Sequence, residues 1–514
     1  MSATRHQLLS EAKRLLQAER GTLFKQGALG VALCYPSPYH VGMSSLGFQT
    51  IYRKINALPF AFAERAFLPE DEALMRRLRM PLFSLETQRP VSEFPVLAFS
   101  VAYELEVMGL LSMLELCGLA LRSSERPAHA PLVVAGGPLS FSNAAPLEPF
   151  VDVVVQGEAE ELIEVLLRAC EGGAPKRETL EGLASKPGFF VPGLSAVQKR
   201  FYVHKAVDAQ LPAYSQVVTP HTELSSMFLV ETGRGCSRGC HYCVMRRTTN
   251  GGLRLASRQH IWEKVPPWAK RIGFVGAAVT DHPQLLELLE ESVLSGREVG
   301  VSSLRADRLS LPLVEALKAG GAKALTVAMD GASQRLRNLL ERRHTEEHIV
   351  QAARWAKACG MRHLKLYVML GLPTEEEADV EELARFSVEL SKQLPVVLGL
   401  APFVAKRHTP MDGAPYAGVA EVEARLRLLR ARLRGKAQLR PTSPRWAYIE
   451  YMLAQCGPEA GLAAMEAWQQ GGKFAHWSEA FEAHGAKPFV ACRVAEAAAT
   501  WPQVGCGESS RAAL

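Results

Sequence analysis

Between residues 29 and 171, short continuous apolar runs alternate with stretches of helical periodicity. LGVALCYP (29–36), FAFAERAFLP (60–69), PVLAFSVA (95–102), LVVAGGP (132–138) and VDVVVQGE (151–158) read as strands. Residues 43–57, 105–117 and 159–171 read as helices between and after them. Unbroken β-rich runs, rather than alternating ones, predict strands buried on both faces of a parallel sheet. The expectation for 29–171 is a doubly wound parallel, Rossmann-like α/β domain. Ahead of it, residues 1–28 open with MSATRHQLLSEAKRLL, where charge and Leu alternate as on a surface helix and nothing resembles a secretory leader.

Composition shifts over 172–222, where GGAPK, KPGFFVPG and QLPAYS predict a linker with one hairpin. Strand–helix alternation then resumes. MFLVETGR (227–234), RIGFVGAA (271–278), EVGVSSL (298–304), ALTVAMD (324–330), HLKLYVMLG (363–371) and VVLGLAPFV (396–404) predict six βα units over 223–404. That number fits a partial (β/α)6 TIM-type barrel, whose chemistry sits at the C-terminal ends of the strands. From 405 to 514 the pattern predicts a helical C-terminal domain. Its aromatic residues (Trp446, Tyr448, Tyr451, Trp468, Phe474 and Trp477) suit a helix core better than a base-stacking platform. Within it, EARLRLLRARLRGKAQLR (423–440) interleaves Arg with Leu. A solvated helix face is the simpler reading, and a phosphate or RNA contact is the sharper one.

The 514 residues suffice for about three domains. An apolar share of 48% excludes a disordered chain. No run of 18 apolar residues predicts a membrane span, and a net charge of +6 is too weak to imply nucleic acid. Seven of the ten cysteines are scattered (Cys34, Cys117, Cys170, Cys359, Cys456, Cys492, Cys506). That distribution fits a reducing cytoplasm rather than a disulfide scaffold.

The other three form RGCSRGCHYC, placing Cys236, Cys240 and Cys243 in a C-x3-C-x2-C run directly after a predicted strand. Thiolates ligate iron–sulfur clusters, and a cubane takes four ligands. Three cysteines leave one iron open to a small molecule. Gly235 and Gly239 allow a tight wrap, and Arg234 and Arg238 are expected to balance the cluster's negative charge. Zinc is the competing reading, but it favours C-x2-C pairs and needs a fourth ligand that His241 is badly placed to supply.

This arrangement resembles the radical SAM superfamily, in the subgroup with a cobalamin-binding-type domain ahead of the core. The resemblance runs over residues 29–485, through YPSPYHVGMSSLG (35–47), VVAGGP (133–138), VVQGEAEE (154–161), SQRLRNLLERRHTEEHI (333–349), VMLGLPTE (368–375) and FVAKRHTPM (403–411). It implies a [4Fe-4S] cluster on Cys236, Cys240 and Cys243 whose open iron binds S-adenosylmethionine (SAM). Reductive cleavage would then give a 5′-deoxyadenosyl radical, fed by an electron donor such as flavodoxin or ferredoxin.

Carried over residue by residue, the resemblance places the methionine-binding stretch at VGAAVTDHP (275–283), with Gly276 and Ala277 contributing backbone. Ser302 and Arg305 follow the third strand and suit SAM's carboxylate, unless Arg305 pairs with Asp307. Asp330 ends the fourth strand where relatives have Glu. It would hold a SAM hydroxyl or ammonium, against the simpler role of a turn residue. Gly371 lies in a stretch that packs on adenine.

For cobalamin, Gly136, Gly137, Gly157 and Glu158 lie on loops after parallel strands, the natural ligand rim. The D-x-H-x-x-G ligand motif is missing: around His40, Pro38 stands in the Asp position and Met43 in the Gly position. A cobalamin-dependent methyltransferase is one expected outcome, on an unknown substrate. Competing functions are an RNA- or protein-modifying methylthiotransferase, which needs a second cluster, and a non-catalytic iron–sulfur binding module. For the former only Cys34, Cys117 and Cys170 are available, in a predicted strand and two predicted helices.

Overall fold

A computed structural model describes residues 4–245 and 252–489, so Cys492 and Cys506 lie outside the described residues. The first apolar runs become β1 (Leu29–Tyr35), β2 (Ala61–Phe67), β3 (Val96–Ser100), β4 (Leu132–Gly136) and β5 (Val153–Val155). They pair in parallel in the order β2-β1-β3-β4-β5. All of β1 is buried. Val31, Leu33 and Tyr35 join one apolar cluster, and Ala32 and Cys34 join another on the opposite face. This is why the run is continuous: both faces of the strand are covered. The order turns at β1, with β2 on one side and β3 on the other, so a crevice opens at the C-terminal ends of β1 and β3.

The expected linker is corrected. Residues 172–222 hold a helix, Lys176–Ser185, and β6 (Phe189–Phe190), which pairs antiparallel with β5 at the sheet edge. The hairpin read there is absent; Gly and Pro mark the ends of these short elements instead. The segment then returns along both halves of the molecule, bridging Gly157 to His204 and Val230 to Tyr214.

The second half begins with β7 (Phe228–Glu231). It runs into β8 (Gly233–Gly235), which pairs antiparallel with β9 (Leu253–Leu255). Then follow β10 (Arg271–Val275), β11 (Glu298–Val301), β12 (Ala324–Asp330), β13 (His363–Leu370), β14 (Val396–Pro402) and β15 (Ala437–Pro441). The sheets β11-β10-β7 and β12-β13-β14-β15 are parallel throughout. A parallel bridge between Leu304 and Val327 links them. A seventh parallel strand, β15, therefore lies inside the stretch expected to be wholly helical. It is a largely exposed edge, AQLRP, without the apolar run that betrays a buried strand.

The Arg-rich stretch is the helix Val419–Leu433, seated through Val422, Leu426, Leu429 and Leu433. Arg425 pairs with Glu375 at 3.1 Å and Arg432 with Glu381 at 2.6 Å. Three further helices follow: Pro444–Gln455, Pro458–Gln469 and Phe474–Ala483. They bury Tyr451, Trp477 and Phe481, while Trp446 stays exposed. No described helix is long and apolar enough to cross a membrane.

Candidate functional site

The cysteine loop lies between β8 and β9, just past the C-terminal end of β7. Cys236 Sγ accepts from the Arg238 backbone N–H at 3.4 Å, and Cys240 is buried. Burial raises the thiol pKa of Cys236 and pushes that of Cys243 up to about 11. Among the described residues no three His, Cys, Asp or Glu side chains converge into a metal-holding group. The three thiols share one loop but face different partners.

The two arginines expected beside the thiols are engaged elsewhere, which corrects that expectation. Arg238 pairs with Asp307 at 2.5 Å. Arg234 is held by Glu231 at 2.9 Å, Glu160 at 2.6 Å and Glu158 at 3.3 Å. Closer carboxylates outcompete neutral thiols for a guanidinium. Among the described residues the cation at the thiols is Arg342, which the sequence reading missed although it stands inside the quoted stretch 333–349. Its Nη1 lies 3.6 Å from Cys240 Sγ, its Nη2 donates to the Ala328 carbonyl at 3.0 Å, and its Nε stands 2.5 Å from Asp330 Oδ2. Burial works against the Arg342 charge, but Asp330, Tyr242 and Cys240 outweigh it and raise its pKa.

Asp330 ends β12 at φ +64°, beside an irregularity in the pairing with β13. It is buried, accepts from Tyr242 Oη at 3.0 Å and pairs with Arg342. Burial raises its pKa while Arg342 opposes the rise. Two residues of the cysteine neighbourhood, Tyr242 and Arg342, thus converge on a single carboxylate.

The other expected SAM contacts lie along the same rim. Ser302 Oγ donates to the Gly276 carbonyl at 3.1 Å, leaving that oxygen one lone pair for a ligand. Ala277 is exposed. Arg305 is buried and paired with Asp307 at 2.6 Å and with Asp281. The pairing alternative is the arrangement observed, although inside the rim rather than at the surface. Gly371 faces Ala417 and Val422, and its N–H donates to Glu375 Oε1 at 2.9 Å, so the C-terminal helical segment covers this loop.

Gly136, Gly137, Gly157 and Glu158 meet at one feature, a hollow of about 360 Å³ with mainly apolar walls. Beneath it lie β3, β4 and β5; above it lie Ser45, Leu46 and Thr50, at the start of the helix Leu46–Ala57. The hollow's volume and mainly apolar lining are of the kind found in small-molecule clefts. Across from the sheet, Arg234, Val244 and Met245 complete its wall. No described histidine lines it. His40 lies elsewhere, half-exposed and 3.6 Å from Glu70.

Two of the glycines have a structural duty as well. A Cβ on Gly157 (φ +94°) would stand 2.4 Å from the His204 carbonyl oxygen, and one on Gly137 (φ +100°) would stand 2.7 Å from that of Val101. Glu158 is not free either: both its carboxylate oxygens accept from Arg254 Nη2 at 2.6 Å, and Oε2 accepts from the Ala206 N–H at 2.8 Å.

The profile of "Radical SAM proteins, N-terminal" matches residues 47–192, and that of the "Radical SAM superfamily" matches residues 230–387. An uncharacterized protein of Methanocaldococcus jannaschii is 27% identical over 391 residues, covering 74% of this chain and 79% of its own. An uncharacterized methyltransferase of Pyrococcus horikoshii is 23% identical over 270 residues, covering 50% of this chain and 58% of its own. Among solved structures, the cobalamin-dependent S-adenosylmethionine radical enzyme OxsB with aqua-cobalamin bound is similar at a TM-score of 0.49 and 14% identity. The match covers 79% of this chain and 56% of that one, so this chain spans little more than half its length.

Proposed function

Because the chain belongs to the radical SAM superfamily, with a cobalamin-binding-type domain ahead of its core, we propose that it is a SAM-cleaving enzyme with cobalamin in its N-terminal hollow. Cys236, Cys240 and Cys243 would hold a [4Fe-4S] cluster, which when bound supplies the electron for reductive cleavage of SAM. The donor set fits: three thiols share one loop at a strand-end rim, and Arg342 stands 3.6 Å from one of them. That juxtaposition carries the reading. We read the seven parallel strands as an opened (β/α) barrel, with the cofactor on its C-terminal rim.

The chain's own groups then have distinct duties. The free lone pair of the Gly276 carbonyl accepts from the SAM ammonium, with Ser302 fixing its direction. Arg342, rather than Arg234 or Arg238, is the guanidinium beside the thiols. It offsets negative charge there while Asp330 and Tyr242 hold it in place. The apolar walls of the hollow would exclude water from a corrin held against β3, β4 and β5, and among the described residues no histidine lines the hollow. Methyl transfer to an unactivated carbon or phosphorus centre is the outcome such a pair of cofactors serves, and it accords with the methyltransferase among the relatives. The methylthiotransferase reading is disfavoured by position. Cys34 is buried in β1, Cys117 is buried at a helix end, and Cys170 ends the helix Leu162–Cys170.

Anaerobic reconstitution with iron and sulfide, followed by titration with hydroxocobalamin, tests both halves. We expect one cluster per chain in the wild type and none when the three cysteines are replaced by Ala. Corrin binding should leave the cob(II)alamin paramagnetic spectrum without nitrogen coupling from His40. A full cluster in the triple variant, or a coupling abolished by His40→Ala, would overturn the corresponding half.

A further inference from the structure

The cysteine loop borders the wall of the hollow on either side of its three thiols. Ahead of Cys236, Arg234 reaches out of β8 to three carboxylates. Two of these, Glu158 and Glu160, lie on the loop after β5 that lines the hollow, and the third, Glu231, ends β7 and lines it as well. The guanidinium is largely buried, at 14% side-chain exposure. Burial opposes its charge, but the carboxylates outweigh this and hold it firmly protonated. Arg254, on the partner strand β9, closes on Glu158 at 2.6 Å. Beyond Cys243, Val244 and Met245 form part of the same wall.

Cys236, Cys240 and Cys243 lie near enough to one another to interact electrostatically. A cluster seated on these three thiols would pin the loop from within, as a ligand in the hollow would pin it from the wall.

We propose that Arg234 is a positioning residue that couples occupancy of the hollow to the setting of the cysteine loop, so that cluster assembly and corrin binding strengthen each other. This rests on the reading of the hollow as a cobalamin site. A corrin against Glu158, Glu160, Val244 and Met245 fixes the loop's two anchors. The ordering cost is then met once for both ligands, and each tightens the other by the same factor.

The test is the dissociation constant of hydroxocobalamin, read by anaerobic absorbance on the full chain with and without the reconstituted cluster. In the wild type, reconstitution should tighten binding by roughly 5- to 150-fold, the usual span of such couplings. Arg234→Gln, which also alters the wall of the hollow, should weaken corrin binding to the cluster-free chain and bring that ratio to within about twofold of unity, since a coupling below the usual span is indistinguishable from none. Arg234→Lys, which reaches fewer carboxylates at once, should give an intermediate ratio. If Arg234→Gln fails to fold, Glu160→Gln removes one anchor on the opposite side, and its ratio should fall too. A ratio near one in the wild type, or an unchanged ratio in the variants, overturns the coupling while leaving the cobalamin reading intact. Absence of corrin binding in every form removes both.

Discussion

Asp330 ends β12 in the left-handed region, where Asp is among the few non-glycine residues found readily. Its carboxylate is the counter-charge of the buried Arg342. Replacing it with Ala leaves that guanidinium uncompensated, and breaking such a pair costs roughly 3–5 kcal/mol. Urea unfolding of the cluster-free chain should show this loss before any cofactor is added. Unchanged stability together with weakened SAM binding would instead make Asp330 a ligand contact alone.

The glycines of the hollow divide in the same way. Gly157→Ala forces a Cβ to 2.4 Å from a carbonyl oxygen and should cost roughly 1–3 kcal/mol in strain. Gly136→Ala meets only Val155, at 3.5 Å. It should leave urea unfolding unchanged and weaken hydroxocobalamin binding by narrowing the hollow; unaltered affinity would remove Gly136 from the cradle. At this scale the sequence exposes the thiols by their spacing. It hides which charges face them, because Arg342 comes to Cys240 across 102 residues while the adjacent Arg234 and Arg238 turn to other partners.

Among the elements, the loop after β13 shows how a turn is held. Glu375 accepts from the N–H groups of Gly371 and Leu372 and pairs with Arg425 of the helix Val419–Leu433. Burial raises its pKa from 4.5 to about 7, with the two N–H groups and Arg425 opposing. The folded chain thus keeps this proton to higher pH than the unfolded chain. The stability it brings is full below about pH 4.5 and is lost as pH rises through about 7. Glu375→Gln, which cannot ionise, should lose less stability than the wild type between pH 5 and pH 8. Thermal unfolding at both values checks this, and parallel pH profiles would contradict it. Strands buried on both faces, such as β1 and β4, are legible because burial demands an apolar run. The edge strands β6 and β15 are not: one is two residues long and the other largely solvent-facing.

At the scale of the whole molecule, a six-stranded sheet, parallel except for β6, and seven parallel strands in two bridged sheets both contribute residues to the wall of the hollow. The alternation of strand and helix foretells each unit separately. Their join is invisible to periodicity, because it combines a shared apolar cluster with long-range ion pairs such as Arg254 with Glu158 and Lys406 with Glu104, the latter at 2.8 Å. The hollow follows from the strand order, whose turn at β1 no local pattern encodes. The most direct check on the enzyme as a whole is release of 5′-deoxyadenosine. Full chain, reconstituted anaerobically, is incubated with SAM and dithionite, and the nucleoside is quantified by chromatography. The wild type should release it in step with its cluster content, and the chain with Cys236, Cys240 and Cys243 replaced by Ala should release none. Fully loaded wild type that leaves SAM intact would make the protein an iron–sulfur binding module and contradict the proposed reaction.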